Sequence, residues 1–300
     1  MLFKSEKLRP VLGLCCALGW SLAYPFIKLG YRELRIDSGD LGSKILFAGI
    51  RFLMAGLLVL AFSGVQKRNR KVSRKNLPIL ALFALVNTAL HYLFSYIGLS
   101  YIPSSRSTIL DSMNVFFLII LSGLFLEDDT FNVKKIAGCI LGFCGILTIS
   151  ITPGGGLFSN ITFMGDGMIL LNACCAAGGG MLTRFISRKM DMMAATGYGM
   201  SAGGAMLLVV GLAVGVRQPW NVTPWGIGIL FVLILISAVC FGIYNMLLAN
   251  HPISKVAIYN SLIPVFGVMF SSLLLGEPFA WQYVLAACLT AAGIYVGNRK

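Results

Sequence analysis

Ten mostly apolar stretches, parted by short polar or basic segments, take up nearly all of this chain. They run roughly Val11–Leu29, Ile45–Gly64, Leu77–Ile97, Ser104–Leu126, Ile136–Ile151, Gly165–Ile186, Ala195–Val216, Trp225–Leu248, Ser254–Leu275 and Trp281–Gly297. A helix needs about 20 apolar residues to cross a bilayer. Lipid offers no partner for backbone N–H and C=O groups, so such stretches must be helical. Composition agrees: 57% of the 300 residues are hydrophobic and only 12% charged, against about 25% charged in a soluble domain. Such a chain cannot cover a globular surface of its size in water. A cytosolic enzyme, a nucleic-acid-binding module and a secreted scaffold are excluded on that ground. The expected fold is an all-α integral membrane protein with ten transmembrane helices. The first run, from Val11, lacks a small-residue cleavage pattern before a polar region and reads as a retained helix.

The net charge of +13 would suggest a nucleic-acid partner in a soluble protein. Here the basic residues sit between the apolar runs, so they report topology instead. With the N-terminus inside, 17 fall on the inner side: Lys4, Lys7, Arg9, Lys67, Arg68, Arg70, Lys71, Arg74, Lys75, Lys134, Lys135, Arg184, Arg188, Lys189, Lys255, Arg299 and Lys300. Five, Arg32, Arg35, Lys44, Arg106 and Arg217, fall on the outer side. This asymmetry places both termini in the cytoplasm, and the expected location is the cytoplasmic (inner) membrane. The eight cysteines all lie in apolar runs, which argues against a disulfide framework and for small packing residues.

The chain repeats itself. SSRSTILDSMNVFFLIILSGLFLE at 104–127 aligns with SKVAIYNSLIPVFGVMFSSLLLGE at 254–277, an offset of 150 residues. Ser104 meets Ser254, Val115-Phe116 meets Val265-Phe266, Ser122 meets Ser272 and Glu127 meets Glu277. A proline precedes each segment and a glycine-rich apolar run follows it. The division is therefore a first five-helix repeat, 1–153, and a second, 154–300. Five is odd, so the second half enters the membrane with opposite orientation. Inverted repeats are a device of secondary transporters, which alternate between two related arrangements around a midplane site.

ALGWSLAYPFIKLG (17–30), RFLMAGLLVL (51–60), IGLSYIPSSRSTILDSMNVFF (97–117) leading to FLE (125–127), and SLIPVFGVMFSSLLLGE (261–277) give the chain its likeness to a known group. In this order they resemble the EamA-type ten-helix members of the drug/metabolite transporter (DMT) superfamily, over nearly the whole length. The resemblance implies export or uptake of small metabolites through a central cavity lined by helices one, three, four, six, eight and nine. It also implies an arginine such as Arg51, beside Phe52, in the second helix. One position departs from the family: its proline in the fourth helix is Asn114 here, while Pro264 stands in the ninth. That removes the usual reason for a kink in the fourth helix.

Polar groups at membrane depth are costly and mark candidate sites. Asp111 is the acidic residue deep in a span. Ser104, Ser107, Asp111 and Asn114 share one helical face, expected to line a path for solute. Asn87, His91 and Ser95 form a stripe in the third span, and His91 offers a proton relay with Asp111 or a hydrogen-bonded core histidine. Trp20, Tyr24 and Lys28 form one in the first. Asn172, Tyr244 and Ser261 add uncharged polarity from the second half, Ser261 being the repeat equivalent of Asp111. Lys28, Arg51 and Arg106 are the charge or gating candidates. Arg106 either snorkels to the interface or meets an anionic solute, and Arg51 pairs with a carbonyl or an acid. Glu127 and Glu277, at span ends, read as helix-end or gate residues.

These features point to a secondary transporter for a small polar metabolite, read as an amino acid or other zwitterion, with export favoured. An organic phosphate or nucleotide sugar is the alternative solute, and a membrane-embedded lipid-modifying enzyme using Asp111 and His91 the alternative class. No phosphate-binding loop, HExxH, Cys-x-x-Cys or paired-carboxylate array occurs, so no cofactor or metal is expected. The expected partners are a small-molecule substrate and the lipid bilayer, with no nucleic acid, in a monomer or homodimer.

Overall fold

The computed structural model describes residues 2–125, 133–149, 161–278 and 281–297, leaving out a few side chains within helices, that of Ser261 among them. The described residues form ten helical segments. These are α1 (Arg9–Glu33), α2 (Leu41–Val65), α3 (Arg74–Leu99), α4 (Ser104–Phe125), α5 (Val133–Ile149), α6 (Phe163–Ile186), α7 (Met192–Val214), α8 (Pro224–Asn250), α9 (residues 253–275) and α10 (Trp281–Gly297). Seven, α1 to α4 and α6 to α8, are long and apolar enough to cross a membrane. α5 and α10 have 17 residues each, close to the lower limit for a span of about 17. Outward-facing Val65, Val209, Leu212, Trp225 and Leu273 are exposed, as suits side chains whose solvent is lipid. The repeat boundary proposed at 153–154, the Gly154–Gly156 turn and Glu127 lie outside the described residues.

Helix ends leave backbone groups unpaired, and the sequence supplies caps there. Asp40 accepts from the Ser43 amide (3.0 Å) and hydroxyl (2.7 Å) at the start of α2. Thr162, Asp191 and Thr223 each accept from the backbone amide three residues on, at the starts of α6, α7 and α8. Gly276 ends α9 at φ +64°, a left-handed conformation that glycine takes without strain.

The packing is two-fold. α2 lies along α7, α4 against α9 and α5 against α10, each pair joining equivalent helices of the two halves. The α1–α9 contact has its counterpart in α4–α6, and α1–α8 in α3–α6. Small residues permit the closest approaches. A Cβ on Gly56 of α2 would lie 2.4 Å from the Ser201 amide of α7, and one on Gly293 of α10 would lie 2.6 Å from the Gly138 carbonyl of α5. The glycines of the fifth and tenth helices thus face each other within one chain.

Two helices are broken where the cavity lies. α3 contains a π-helical turn over Leu85–Leu90. α4 divides at Ser112 into Ser104–Asp111 and Met113–Phe125. The expectation of an unkinked fourth helix is therefore corrected: the break forms without a proline. The matching stretch of α9 passes through a 3-10 turn, Ile258–Leu262, just before Pro264.

Candidate functional site

A cavity of about 90 Å³ opens between α1, α2, α3, α4, α6, α8 and α9. It is well above the minimum of about 15 Å³ needed to admit one water, and so has room for solvent or part of a small solute. Trp20, Ala23, Tyr24 and Ile27 of α1 form one wall, and Asn87, His91, Tyr92 and Ser95 of α3 another. Asp111, Asn114 and Leu118 come from α4, Phe241, Tyr244, Asn245 and Leu248 from α8, Asn260 and Ile263 from α9, and Arg51 from α2.

The π turn and the break in α4 build this site. The wide turn carries Asn87 into the cavity, where it lies against α6 at Gly179; a Cβ there would come within 2.2 Å of Asn87 Oδ1. π-helical turns are often found at functional sites for this reason. At the α4 break, the Val115 amide donates to the Ser112 carbonyl (3.2 Å) and leaves the Asp111 carbonyl without its usual helical donor. Asn114 Nδ2 takes that carbonyl at 2.7 Å.

The Asp111 carboxylate accepts a hydrogen bond from Asn172 Nδ2 of α6 and faces the Tyr24 phenol. Arg51 is 1% exposed, so its charge must be met inside the protein. Its Nε donates to Ser237 Oγ (2.7 Å) and the Leu233 carbonyl (3.2 Å), and one terminal nitrogen donates to the Tyr96 hydroxyl (3.1 Å). All three are neutral acceptors. The cavity therefore contains a carboxylate and a guanidinium that are not paired with each other. Trp20 Nε1, Asn87 Nδ2, His91 Nδ1 and Asn260 Oδ1 also line it, buried and without a hydrogen-bond partner among the described residues. Trp20 packs edge-on to Tyr244 (centroids 4.8 Å apart) and Phe241 (5.5 Å), and His91 stacks on Tyr92 at 4.3 Å.

Of the residues singled out in the sequence, Trp20, Tyr24, Asn87, His91, Asp111, Asn114, Tyr244 and Arg51 meet in this cavity, with Asn172 directly behind Asp111. Others lie elsewhere. Ser107 is buried and donates to the Pro103 carbonyl (3.0 Å). The first two turns of α4 are buried on every side, so the polar stripe lines the cavity only from Asp111 onward. Arg106 neither reaches the interface nor faces the cavity: its Nε donates to Asp166 Oδ1 at 2.6 Å, and both side chains are buried. No hydrogen bond joins His91 to Asp111. Tyr92 and Phe241 are lining residues that polarity alone did not flag. Phe241 could have been found from its spacing with Tyr244, Asn245 and Leu248, one face of α8.

Lys28 lies one residue beyond the cavity wall, in a separate vestibule of about 250 Å³ at the end of the bundle where α4 begins. It donates to the Ile102 carbonyl (2.9 Å) and stands 3.5 Å from Glu277. Glu277 accepts from the amides of Ser104 (2.8 Å) and Ser105 (3.0 Å) and from the Ser105 hydroxyl (2.6 Å). Burial pushes its carboxyl up, but these hydrogen bonds and the Lys28 charge outweigh that and hold it below the usual range.

The profile of the EamA-like transporter family matches residues 9–151 and 163–299. An uncharacterized transporter of Archaeoglobus fulgidus is 27% identical over 282 residues, 94% of each chain. The uncharacterized transporter YvbV of Bacillus subtilis is 31% identical over 266 residues, 85% of this chain and 83% of its own. An S-adenosylmethionine/S-adenosylhomocysteine transporter of Chlamydia muridarum is 22% identical, over 80% and 78%. One solved crystal structure superposes with a TM-score of 0.71 at 15% identity, covering 97% of this chain and 96% of its own, and so shares the fold. With ten helical segments in two-fold packing and this profile over nearly its whole length, the chain is a membrane protein of the EamA-like transporter family, within the DMT superfamily.

Proposed function

We propose that this protein is a secondary transporter that carries a small zwitterionic metabolite, an amino acid or close relative, across the cytoplasmic membrane by alternating access, with export favoured. The observation that carries the reading is that Asp111 and Arg51 line one small cavity without pairing with each other, each held by neutral partners. A carboxylate there suits a solute ammonium, and a guanidinium suits a solute carboxylate. The polar atoms of Trp20, Asn87, His91 and Asn260 that have no partner among the described residues supply further contacts. Relatives named as S-adenosylmethionine transporters support the same class, since that solute ends in an amino acid group. The cavity volume favours a smaller molecule in this state. An organic phosphate is the weaker alternative, because Asp111 would repel it. The reading takes all ten helical segments as spans in two inverted repeats, with both termini cytoplasmic, Ser261 near Asp111, and no catalytic step.

The test is a thermal-stability screen of the purified protein against metabolites at about 10 mM. A ligand with millimolar affinity adds about 1.4 kcal/mol. Amino acids should stabilise the wild type and not Asp111→Asn, and the same substitution should abolish or alter flux while leaving insertion intact. Wild-type flux in Asp111→Asn would sink the assignment. Stabilisation by phosphate esters alone would replace the zwitterion with the alternative.

A further inference from the structure

The contacts at Glu277 reach across the bundle. The residue follows α9, in the second half of the chain, yet three of its hydrogen bonds go to the start of α4, in the first half. Lys28 of α1 stands on the same carboxylate and also holds the Ile102 carbonyl just before α4. Three helices are thus tied at one point. Neighbouring residues of α1 mark what the tie separates. Ile27 lines the solute cavity, whereas Lys28 lines the vestibule. The vestibule reaches the surface beside Tyr101, which is 60% exposed. The cavity extends the other way, past Leu118 of α4, Gly180 of α6 and Leu248 of α8.

We infer that Glu277, with Lys28 and the first turn of α4, is a latch that keeps the cavity shut at the end where α4 begins. This rests on the transporter reading and adds how access to that site is controlled. The tie is suited to opening. The carboxylate binds backbone amides and a hydroxyl at a helix start, where partial positive charge collects. Water entering the vestibule can replace those contacts, so release does not strand a buried charge. The Lys28–Glu277 separation of 3.5 Å is a looser contact than the carboxylate's hydrogen bonds. When the latch opens, α9 and the start of α4 are free to part, and the vestibule joins the cavity.

The experiment places a reporter thiol in the cavity of the full-length protein, Ala23→Cys, and follows its labelling by a membrane-impermeant maleimide. Intact cells and inverted vesicles expose opposite faces, and mass spectrometry distinguishes the new thiol from the native ones. With Glu277 intact, labelling should be slow from the α4-start side. Glu277→Gln should raise that rate about tenfold, the loss of one or two charge-assisted contacts, with no increase from the other side. Ser105→Ala, which removes the hydroxyl contact alone, should give a smaller rise in a protein that still folds. Unchanged labelling in both variants, or an equal rise from both sides with a lowered unfolding temperature, would overturn the latch and leave Glu277 as a helix cap. The transporter reading fails separately: neither amino acids nor phosphate esters would then slow the labelling of Ala23→Cys, and the latch readout needs no solute.

Discussion

Asn114 donates its side-chain amide to the Asp111 carbonyl at 2.7 Å, on the far side of a break in the same helix. The break leaves that carbonyl without its backbone donor, because the Val115 amide turns to Ser112 instead. In the second half of the chain, Pro264 follows a 3-10 turn at the matching place. Two residue types thus achieve one geometry. A proline breaks the helix by having no N–H to give, and an asparagine sustains a break by satisfying the carbonyl it exposes.

This relationship predicts an unusual order of tolerance. Asn114→Leu strips the donor and strands a buried carbonyl, which costs about 1–3 kcal/mol. Asn114→Pro strands the same carbonyl but fixes φ in the first turn of a helical segment, as Pro264 does in the other half, and should therefore cost less than leucine. Unfolding in detergent measures both. A proline variant less stable than the leucine variant would show that the asparagine does more than support the break.

Much of this was legible in the sequence, and the division has physical causes. The ten helical segments follow the ten apolar runs, since lipid leaves a spanning chain little freedom beyond helix. Trp20, Asn87, His91 and Asp111 converge because buried polarity in a membrane helix is rarely idle. Contacts between residues distant in the chain were not legible. Asp166 lies 60 residues from Arg106, and Glu277 lies 172 residues from Ser105. Neither pairing leaves a mark on local spacing. Ser107 was misplaced for a related reason: helical periodicity gives the face of α4 but not the depth at which that face stops being packed. Its hydroxyl answers a backbone carbonyl one turn earlier, as serines near helix starts commonly do. The break in α4 could not be anticipated from proline chemistry.

Asp40 gives a prediction in pH. Its carboxylate is buried at the start of α2, and burial pushes its pKa up. The Ser43 amide and hydroxyl and the Arg217 and Gln218 amides outweigh that and hold it below the usual value. A carboxyl whose folded pKa lies below its unfolded value of about 3.9 stabilises the fold above that pH, and the contribution fades as pH falls. Asp40→Asn should therefore be less stable than the wild type at neutral pH, by the order of 1 kcal/mol expected of a helix cap. The two unfolding temperatures should converge as the pH is lowered towards 3. A difference that stays constant across that range would mean the Asp40 charge plays no part.

The Arg106–Asp166 pair predicts how the charge near the start of α4 is used. The guanidinium and carboxylate meet at 2.6 Å with side chains 10% and 5% exposed, and Asp166 Oδ2 also accepts from the Thr162 amide at 2.9 Å. Removing one member of a buried pair strands the other, at a cost of about 3–5 kcal/mol. Arg106→Met and Asp166→Leu should each destabilise the protein strongly. The double variant should be markedly more stable than the sum of the two losses predicts. Solute-induced stabilisation should survive in the double variant, because neither side chain lines the cavity. A double variant that folds yet no longer responds to any solute that stabilises the wild type would place Arg106 in solute binding after all. Additive losses would show that the two charges do not depend on each other, whatever their separation.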